Sequence, residues 1–326
     1  MRSRELGTSG IPVSEVGLGL AAIGRPGYIT LGRSHDLGSD RSPDALRRRA
    51  HDLLDAAYAL GIRYVDAARS YGRAEEFLAS WLEGRSFPAG HVTVGSKWGY
   101  RYTAGWRVGA EVNEVKDHSL ANLRRQLAET RALLGDSLHL YQIHSATLES
   151  GVLEDREVLD ELARLGRAGL AIGLTVSGPH QADVIRKALE VRVDGASPFA
   201  SVQATWNLLE TSAGAALAEA KAAGWGVLVK ESLANGRLAS AEGSPAGPLE
   251  SVAMRHRSTV DAIAIAAALA QPWADVVLSG AVTAGQLASN VAAVDLALSP
   301  DDLAKLSGLA EPPEQYWATR ASLPWT

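Results

Sequence analysis

Four ionisable side chains stand where short apolar segments stop. Asp66 and Tyr71 lie in GIRYVDAARSYG (61–72), Lys97 in TVGSKWG (93–99) and His144 in YQIHS (141–145). A carboxylate, a phenol, an ammonium and an imidazole form a proton-transfer set if the fold gathers them. A free phenol has a pKa near ~10, too high to exchange protons readily at neutral pH. An ammonium within a few ångströms is expected to stabilise the phenolate and lower that value. Out of water, the ammonium needs a counter-charge, which Asp66 can supply. Asp66, Lys97 and Tyr71 are therefore expected to act as a relay that makes Tyr71 a general acid or base. His144 would orient a carbonyl oxygen beside the phenol. Such a set suits proton delivery to an oxygen while hydride reaches the attached carbon, and no side chain can supply hydride.

Taken singly, each residue has a plainer meaning. A strand-end carboxylate is commonly a cap, a strand-end lysine a snorkelling side chain, a lone histidine structural. His139 is an internal control: it shares a strand with His144 at odd separation and so faces the other way. The joint occurrence on consecutive strands gives the set its weight.

The elements that must position these residues can be read along the chain. SEVGLGLA (14–21) reads as a strand and is followed by a Gly-, Arg- and Asp-rich loop, 24–41. Ser42 then offers an N-cap, with Pro43 at the first helical position. Leu46, Ala50, Leu53, Ala57 and Leu60 follow at helical spacing until Gly61. Strand-like and helix-like segments alternate from there. IRYVDA, HVTVGSKW, SLHLYQIHS, LAIGLTVS, ASVQATWN, WGVLVKES and ADVVLSGA complete a set of eight strands, each leading to a helix. Ser258 and Asp261 are the expected cap of the helix after the seventh strand. Eight such units with no linker between them predict a single (β/α)8 TIM barrel, residues 1–326, of α/β class. The prefix RELGTSGIPVSEVG predicts an N-terminal β-hairpin, turning at Gly7 to Gly10, that plugs the barrel bottom. An open dinucleotide fold would want G-x-G-x-x-G after an early strand, and GLGLAAIG is a poor version of it. In a barrel the active site lies at the C-terminal ends of the strands, where all four residues fall.

Composition narrows the function classes. The 326 residues carry a net charge of −5 and no cysteine. This argues against a nucleic-acid partner, a disulfide scaffold, a thiolate nucleophile or a Cys-ligated metal. MRSRELGTSG has no signal-peptide core, and DAIAIAAALA (261–270) is too short to span a bilayer. A cytoplasmic protein acting on a small molecule, without a membrane partner, is expected. The composition does not set an oligomeric state.

With these motifs in hand, the sequence resembles the aldo-keto reductase superfamily over essentially its whole length. GIRYVDAARSYGRAEE is similar to that family's Asp-and-Tyr motif, VGSKWG to its Lys strand and LYQIHS to its His strand. The resemblance implies a catalytic tetrad of Asp66, Tyr71, Lys97 and His144, and an oxidoreductase that interconverts a carbonyl (aldehyde, ketone or sugar) and an alcohol with NADP(H), or alternatively NAD(H). In SVQATWNLLE, Gln203 matches the residue that bonds the carboxamide, and Trp206 stands where an aromatic stacks on the nicotinamide. Thr175 replaces a serine hydroxyl, while Val176 stands where the family has asparagine. The seventh strand ends Lys230-Glu231-Ser232-Leu233 instead of Tyr-Ser-Pro-Leu, so a carboxylate would meet the pyrophosphate unless Lys230 or Arg237 compensates. VLSGAVTAGQLASN is similar to the segment that holds the adenosine 2′-phosphate, with Gly280, Thr283, Gln286 and Asn290 as contacts. The Lys or Arg usual near 281–283 is missing, and Arg255 or Arg257 would have to substitute. Tyr28, Trp98, Tyr100 and Trp106 are the expected substrate pocket, with Trp317 and Trp325 covering its mouth. Two other functions fit the same residues: a nucleotide-binding regulatory subunit, and a Schiff-base lyase using Lys97 or Lys230.

Overall fold

The computed structural model describes residues 1–326 except 86, 89 and 240–246. Strands β1 (Ser3–Glu5) and β2 (Pro12–Ser14) form an antiparallel hairpin. Then follow β3 (Val16–Gly19), β4 (Tyr64–Asp66), β5 (Thr93–Trp98), β6 (Tyr100–Tyr102), β7 (Glu114–Lys116) and β8 (Leu138–Ala146). The last four are β9 (Ala171–Val176), β10 (Ser201–Thr205), β11 (Gly226–Lys230) and β12 (Val276–Ser279). Eight of these, β3, β4, β5 and β8 to β12, pair in parallel and close into a barrel, β12 returning to β3. This is the (β/α)8 barrel with an N-terminal hairpin that the alternation predicts.

Local chemistry accounts for the helices. Pro43–Ala59 starts where the Ser42 hydroxyl accepts from the Ala45 amide at 3.3 Å, with Pro43 occupying a position that needs no amide donor. Its Leu46, Ala50, Leu53 and Ala57 are buried against the barrel. One boundary differs from expectation, and one element was not foreseen. Helix Val260–Leu269 is capped by Thr259, one residue beyond Ser258, through the Ala262 amide at 3.4 Å. The stretch before helix Leu120–Leu134 pairs as β7 with β6, a hairpin over the end of β5 that no helical periodicity could reveal.

In-out alternation along the strands sorts the side chains. Tyr64, Leu140, Leu228, Val276 and Leu278 fill the lower barrel together with Leu6 and Val13 of the hairpin. Gly226 faces Leu6, and a Cβ there would collide with it, so the plug requires glycine at that strand position. Val65, Val94, Trp98, Tyr141 and Ile143 face outward into the shell between strands and helices. Asp66, Lys97, Gln142 and His144 are left to point into the upper barrel.

Candidate active site

The turn after β4 explains the five-residue offset between Asp66 and Tyr71. The backbone first runs on beside β5, with Ala67 N donating to Gly95 O at 2.8 Å and Arg69 N to Lys97 O at 3.2 Å. It then closes with Tyr71 N donating to Ala68 O at 3.0 Å, which brings the phenol back over the barrel mouth. Lys97 comes from β5 and ion-pairs with Asp66, both fully enclosed. Its ammonium also donates to Ala67 O at 3.0 Å. The second oxygen of Asp66 accepts from the Tyr64 hydroxyl at 3.2 Å and from Gln203 Nε2 at 2.9 Å. Lys97 Nζ stands 4.8 Å from the Tyr71 ring centre, and the His144 ring lies 5.4 Å from it, nearly perpendicular. The four residues converge. A bulge in β8 beyond Ile143, with Ser145 at φ 53°, re-aims the strand end that carries His144.

The electrostatics depart from the expected relay. Burial first, then the Asp66 carboxylate, push the Tyr71 phenol well above its ordinary pKa, while Arg25 pulls it down. Lys97 is ion-paired with Asp66, and among the charges around the phenol the Asp66 carboxylate acts most strongly. The free site therefore holds a protonated tyrosine, suited to donating a proton. The cation that favours its ionised form is Arg25, which the sequence motifs do not single out. Its Cζ is 5.3 Å from the Tyr71 ring centre, and its Nη1 donates to Ser70 O at 3.1 Å and Glu114 Oε2 at 2.9 Å. Burial, then the Lys97 and Arg25 charges, hold His144 well below its ordinary pKa and therefore neutral. The Ser70 hydroxyl lies 3.3 Å from His144 Nδ1; when it donates there, Nε2 keeps the proton.

A cleft of about 420 Å³ opens at the C-terminal ends of the strands. Asp66, Tyr71 and His144 line one part of it. Thr175, Gln203, Lys230, Glu231, Ser232 and Leu233 continue it across β9 to β11, and Gly280, Gln286 and Asn290 line it beyond β12. Tyr28, Tyr100 and Trp325 wall the Tyr71 end. Lys97 stands behind Asp66 and does not itself reach the cleft.

Five expected contacts lie elsewhere. Trp98 follows Lys97 by one residue and so points outward onto His118, with ring centres 5.7 Å apart. Trp106 packs on Phe77 and donates its indole N–H to Arg41 O at 2.9 Å. Trp206 turns into the outer shell against Trp273, centres 5.7 Å apart, at odd separation from the inward Gln203. Thr283 caps helix Ala284–Val291 by accepting from Gln286 N at 3.2 Å. Arg237 ion-pairs with Glu311 away from the cleft. Among the covering tryptophans, Trp317 is buried in a separate cluster beside Tyr316.

Glu231 is compensated, though not by Arg237. Arg320, from helix Pro313–Ser322, donates to both its oxygens at 2.7 and 2.6 Å. Burial opposes ionisation there, but Arg320 and then Lys230 overcome it and pull Glu231 down to about 2. Burial also lowers Lys230 to about 8, with Glu231 partly restoring it. Neither proposed substitute at the far end serves: Arg255 is ion-paired with Asp302, and Arg257 does not line the cleft. Asp36 and Asp261 line that end instead.

The structure is a closed parallel barrel of the (β/α)8 class with ionisable residues gathered at its strand ends. The Aldo/keto reductase family model matches residues 29–311, and the chain belongs to that family. The oxidoreductase YqkF of Bacillus subtilis (strain 168) is 30% identical over 171 residues. That match covers 51% of this chain and 46% of YqkF, so this chain spans about half the length of that relative. L-galactose dehydrogenase of Arabidopsis thaliana is 26% identical across 95% of this chain and 94% of its own. The fold is shared with the holo form of aldo-keto reductase AKR11C1 from Bacillus halodurans, TM-score 0.70 at 24% identity, covering 96% and 97% of the two chains. It is shared also with glycerol dehydrogenase AKR11B4 from Gluconobacter oxydans, TM-score 0.70 at 21% identity and 94% of each chain. Among the described residues, no helix is long and apolar enough to cross a membrane.

Proposed function

We propose that this chain interconverts the carbonyl and alcohol forms of a small polar compound with a nicotinamide dinucleotide, Tyr71 acting as proton donor in the reducing direction. The observation that carries this reading is the buried phenol of Tyr71 between the His144 ring and the Arg25 guanidinium, a setting in which burial favours the protonated phenol and the neutral imidazole. A carbonyl oxygen resting between Tyr71 and His144 receives two neutral donors. As negative charge develops on that oxygen, the phenolic proton moves to it, and Arg25 stabilises the phenolate left behind. Asp66 and Lys97 hold one another in place and keep the floor of the site rigid.

The cleft residues fit a dinucleotide. Gln203 and Thr175 offer polar groups at the catalytic end, Ser232 a hydroxyl in the middle, and Asn290 and Gln286 amides at the far end. A Cβ at Gly280 would meet nothing within 4 Å, so that wall stands open to a ligand. The bound nicotinamide supplies the hydride. Arg25, Glu114, Glu231, Arg320 and Lys230, interleaved with the Tyr28 and Trp325 rings, favour a hydroxylated substrate over an apolar one. The full-length likeness to a sugar dehydrogenase points the same way. Lys97 is committed to Asp66, which leaves it unsuited to Schiff-base chemistry.

The test is Tyr71→Phe, assayed on a panel of sugars, aldehydes and polyols with nucleotide binding measured in parallel by tryptophan quenching. Turnover should fall at least 10³-fold, while nucleotide affinity changes less than threefold. Retained turnover in the variant sinks the reading.

A further inference from the structure

The far end of the cleft raises a question of charge. If the proposed function holds, the reactive nicotinamide sits against Tyr71 and His144. The rest of the dinucleotide then extends along the cleft, past β11 and β12, to helix Ala284–Val291. What the adenosine half meets there is anionic. Asp36, on the short helix Arg33–Leu37, accepts from Gln286 Nε2 at 2.7 Å. The Gln286 carbonyl oxygen in turn accepts from Val282 N at 3.0 Å. Asp261, in the first turn of helix Val260–Leu269, takes the Asn290 amide at 2.8 Å in the orientation that satisfies both ends of that side chain.

Among the described residues, the Arg and Lys side chains that line the cleft are each engaged by other partners. Arg33 is buried and spends its guanidinium on the carbonyls of Ala22, Arg25 and Pro26. Arg25 is held by Glu114, Arg320 by Glu231, and Lys230 donates to Thr205 Oγ1 at 2.8 Å. Arg41, next in sequence after the short helix, donates to the carbonyls of Gly38, Pro26 and Ser34, and Arg49 to those of Leu37 and Asp40. Residues 240–246, outside the described set, contain no Lys or Arg. A 2′-phosphate carries up to two negative charges and is ordinarily met by Arg or Lys. A ribose with free hydroxyls needs only acceptors, which carboxylates supply.

We propose that Asp36 and Asp261 make this chain select NAD(H) over NADP(H), by accepting from the adenosine ribose hydroxyls and repelling a 2′-phosphate. This reverses the preference that the family resemblance alone implies. It rests on the proposed function, and the test separates the two. Dissociation constants are measured by tryptophan quenching and calorimetry for NADH and NADPH, with 5′-AMP and 2′,5′-ADP as adenosine-side probes. NADH should bind at least tenfold tighter than NADPH, and 5′-AMP tighter than 2′,5′-ADP. The double variant Asp36→Asn with Gln286→Arg should shift the NADPH-to-NADH affinity ratio at least 30-fold toward NADPH. Asp36→Asn alone should shift it three- to tenfold, which keeps the test open if the double variant does not fold. Equal or tighter NADPH binding by the wild type overturns the selectivity, as does an unmoved ratio in Asp36→Asn. Binding of neither nucleotide overturns the proposed function itself.

Discussion

Lys97→Met tests whether the buried pair beneath Tyr71 is an interdependent unit. The change removes the ammonium but keeps the length of the side chain. Asp66, only 2% exposed, is left with two neutral donors, the Tyr64 hydroxyl and Gln203 Nε2. Removing one partner of a buried ion pair typically costs about 3–5 kcal/mol, because the other charge remains desolvated. At about 2.1 cal/mol/K per residue, unfolding 326 residues carries an entropy of roughly 0.7 kcal/mol/K. A loss of about 4 kcal/mol therefore lowers Tm by about 6 °C. The decisive comparison is the double variant Asp66→Asn with Lys97→Met, which removes both charges and keeps a hydrogen-bonding group for Tyr64 and Gln203. It should recover most of the loss, returning to within about 1.5 °C of wild type, since a neutral replacement of a buried pair is often neutral in stability. Scanning calorimetry with a urea titration measures the cycle. A single variant that loses less than 1 °C, or a double variant no more stable than the single, refutes the reasoning.

Two further predictions concern Glu231 and Lys230. Glu231 is held at about 2 against an ordinary 4.5, so its contribution is complete above pH 4.5 and is lost as the pH falls toward 2. Glu231→Gln should cost about 3 kcal/mol at pH 7 and flatten the stability profile between pH 4.5 and 2, as followed by urea unfolding. Lys230 sits at about 8 against an ordinary 10.5, so the folded protein sheds this proton before the unfolded chain does. Stability should therefore rise between pH 8 and 10.5, and Lys230→Met should abolish that rise; a profile that keeps it assigns the titration to another group.

The barrel was legible because its units repeat. Each strand ends in a helix signal, and eight such pairs leave few ways to close a sheet. The convergence of Asp66, Tyr71, Lys97 and His144 was legible for a related reason, since strand ends share one mouth and in-out parity fixes which residues face it. The same parity separates His144 from His139, and it also turns Trp98 away from Lys97 and Trp206 away from Gln203. Residue type alone, an aromatic near a site, carries no such direction. Arg25, Asp36, Asp261 and Arg320 were beyond reach for a different reason. They arrive from a loop, a short helix, a helix start and the C-terminal helix, and no periodicity ties those segments to the strand ends. Glu231 illustrates the gap. Its nearest downstream arginine is Arg237, but its partner is Arg320, 89 residues away.

Pairing of charge around the cleft also bears on why burial governs the catalytic groups. Asp66 faces Lys97, Glu231 faces Arg320, and Glu114 faces Arg25. Matched pairs cancel part of one another's field a few ångströms away, and desolvation is then the largest influence on Tyr71 and His144. Desolvation favours the neutral form of either group, so it raises the phenol and lowers the imidazole together. An unpaired lysine beside Tyr71 would instead favour phenolate and leave no proton to give. In the proposed reading, the aspartate is therefore the residue that makes Tyr71 a donor: it withholds the lysine's charge from the phenol in the resting site. Arg25, sharing its charge with a partly exposed Glu114, is then the cation able to follow the proton's departure.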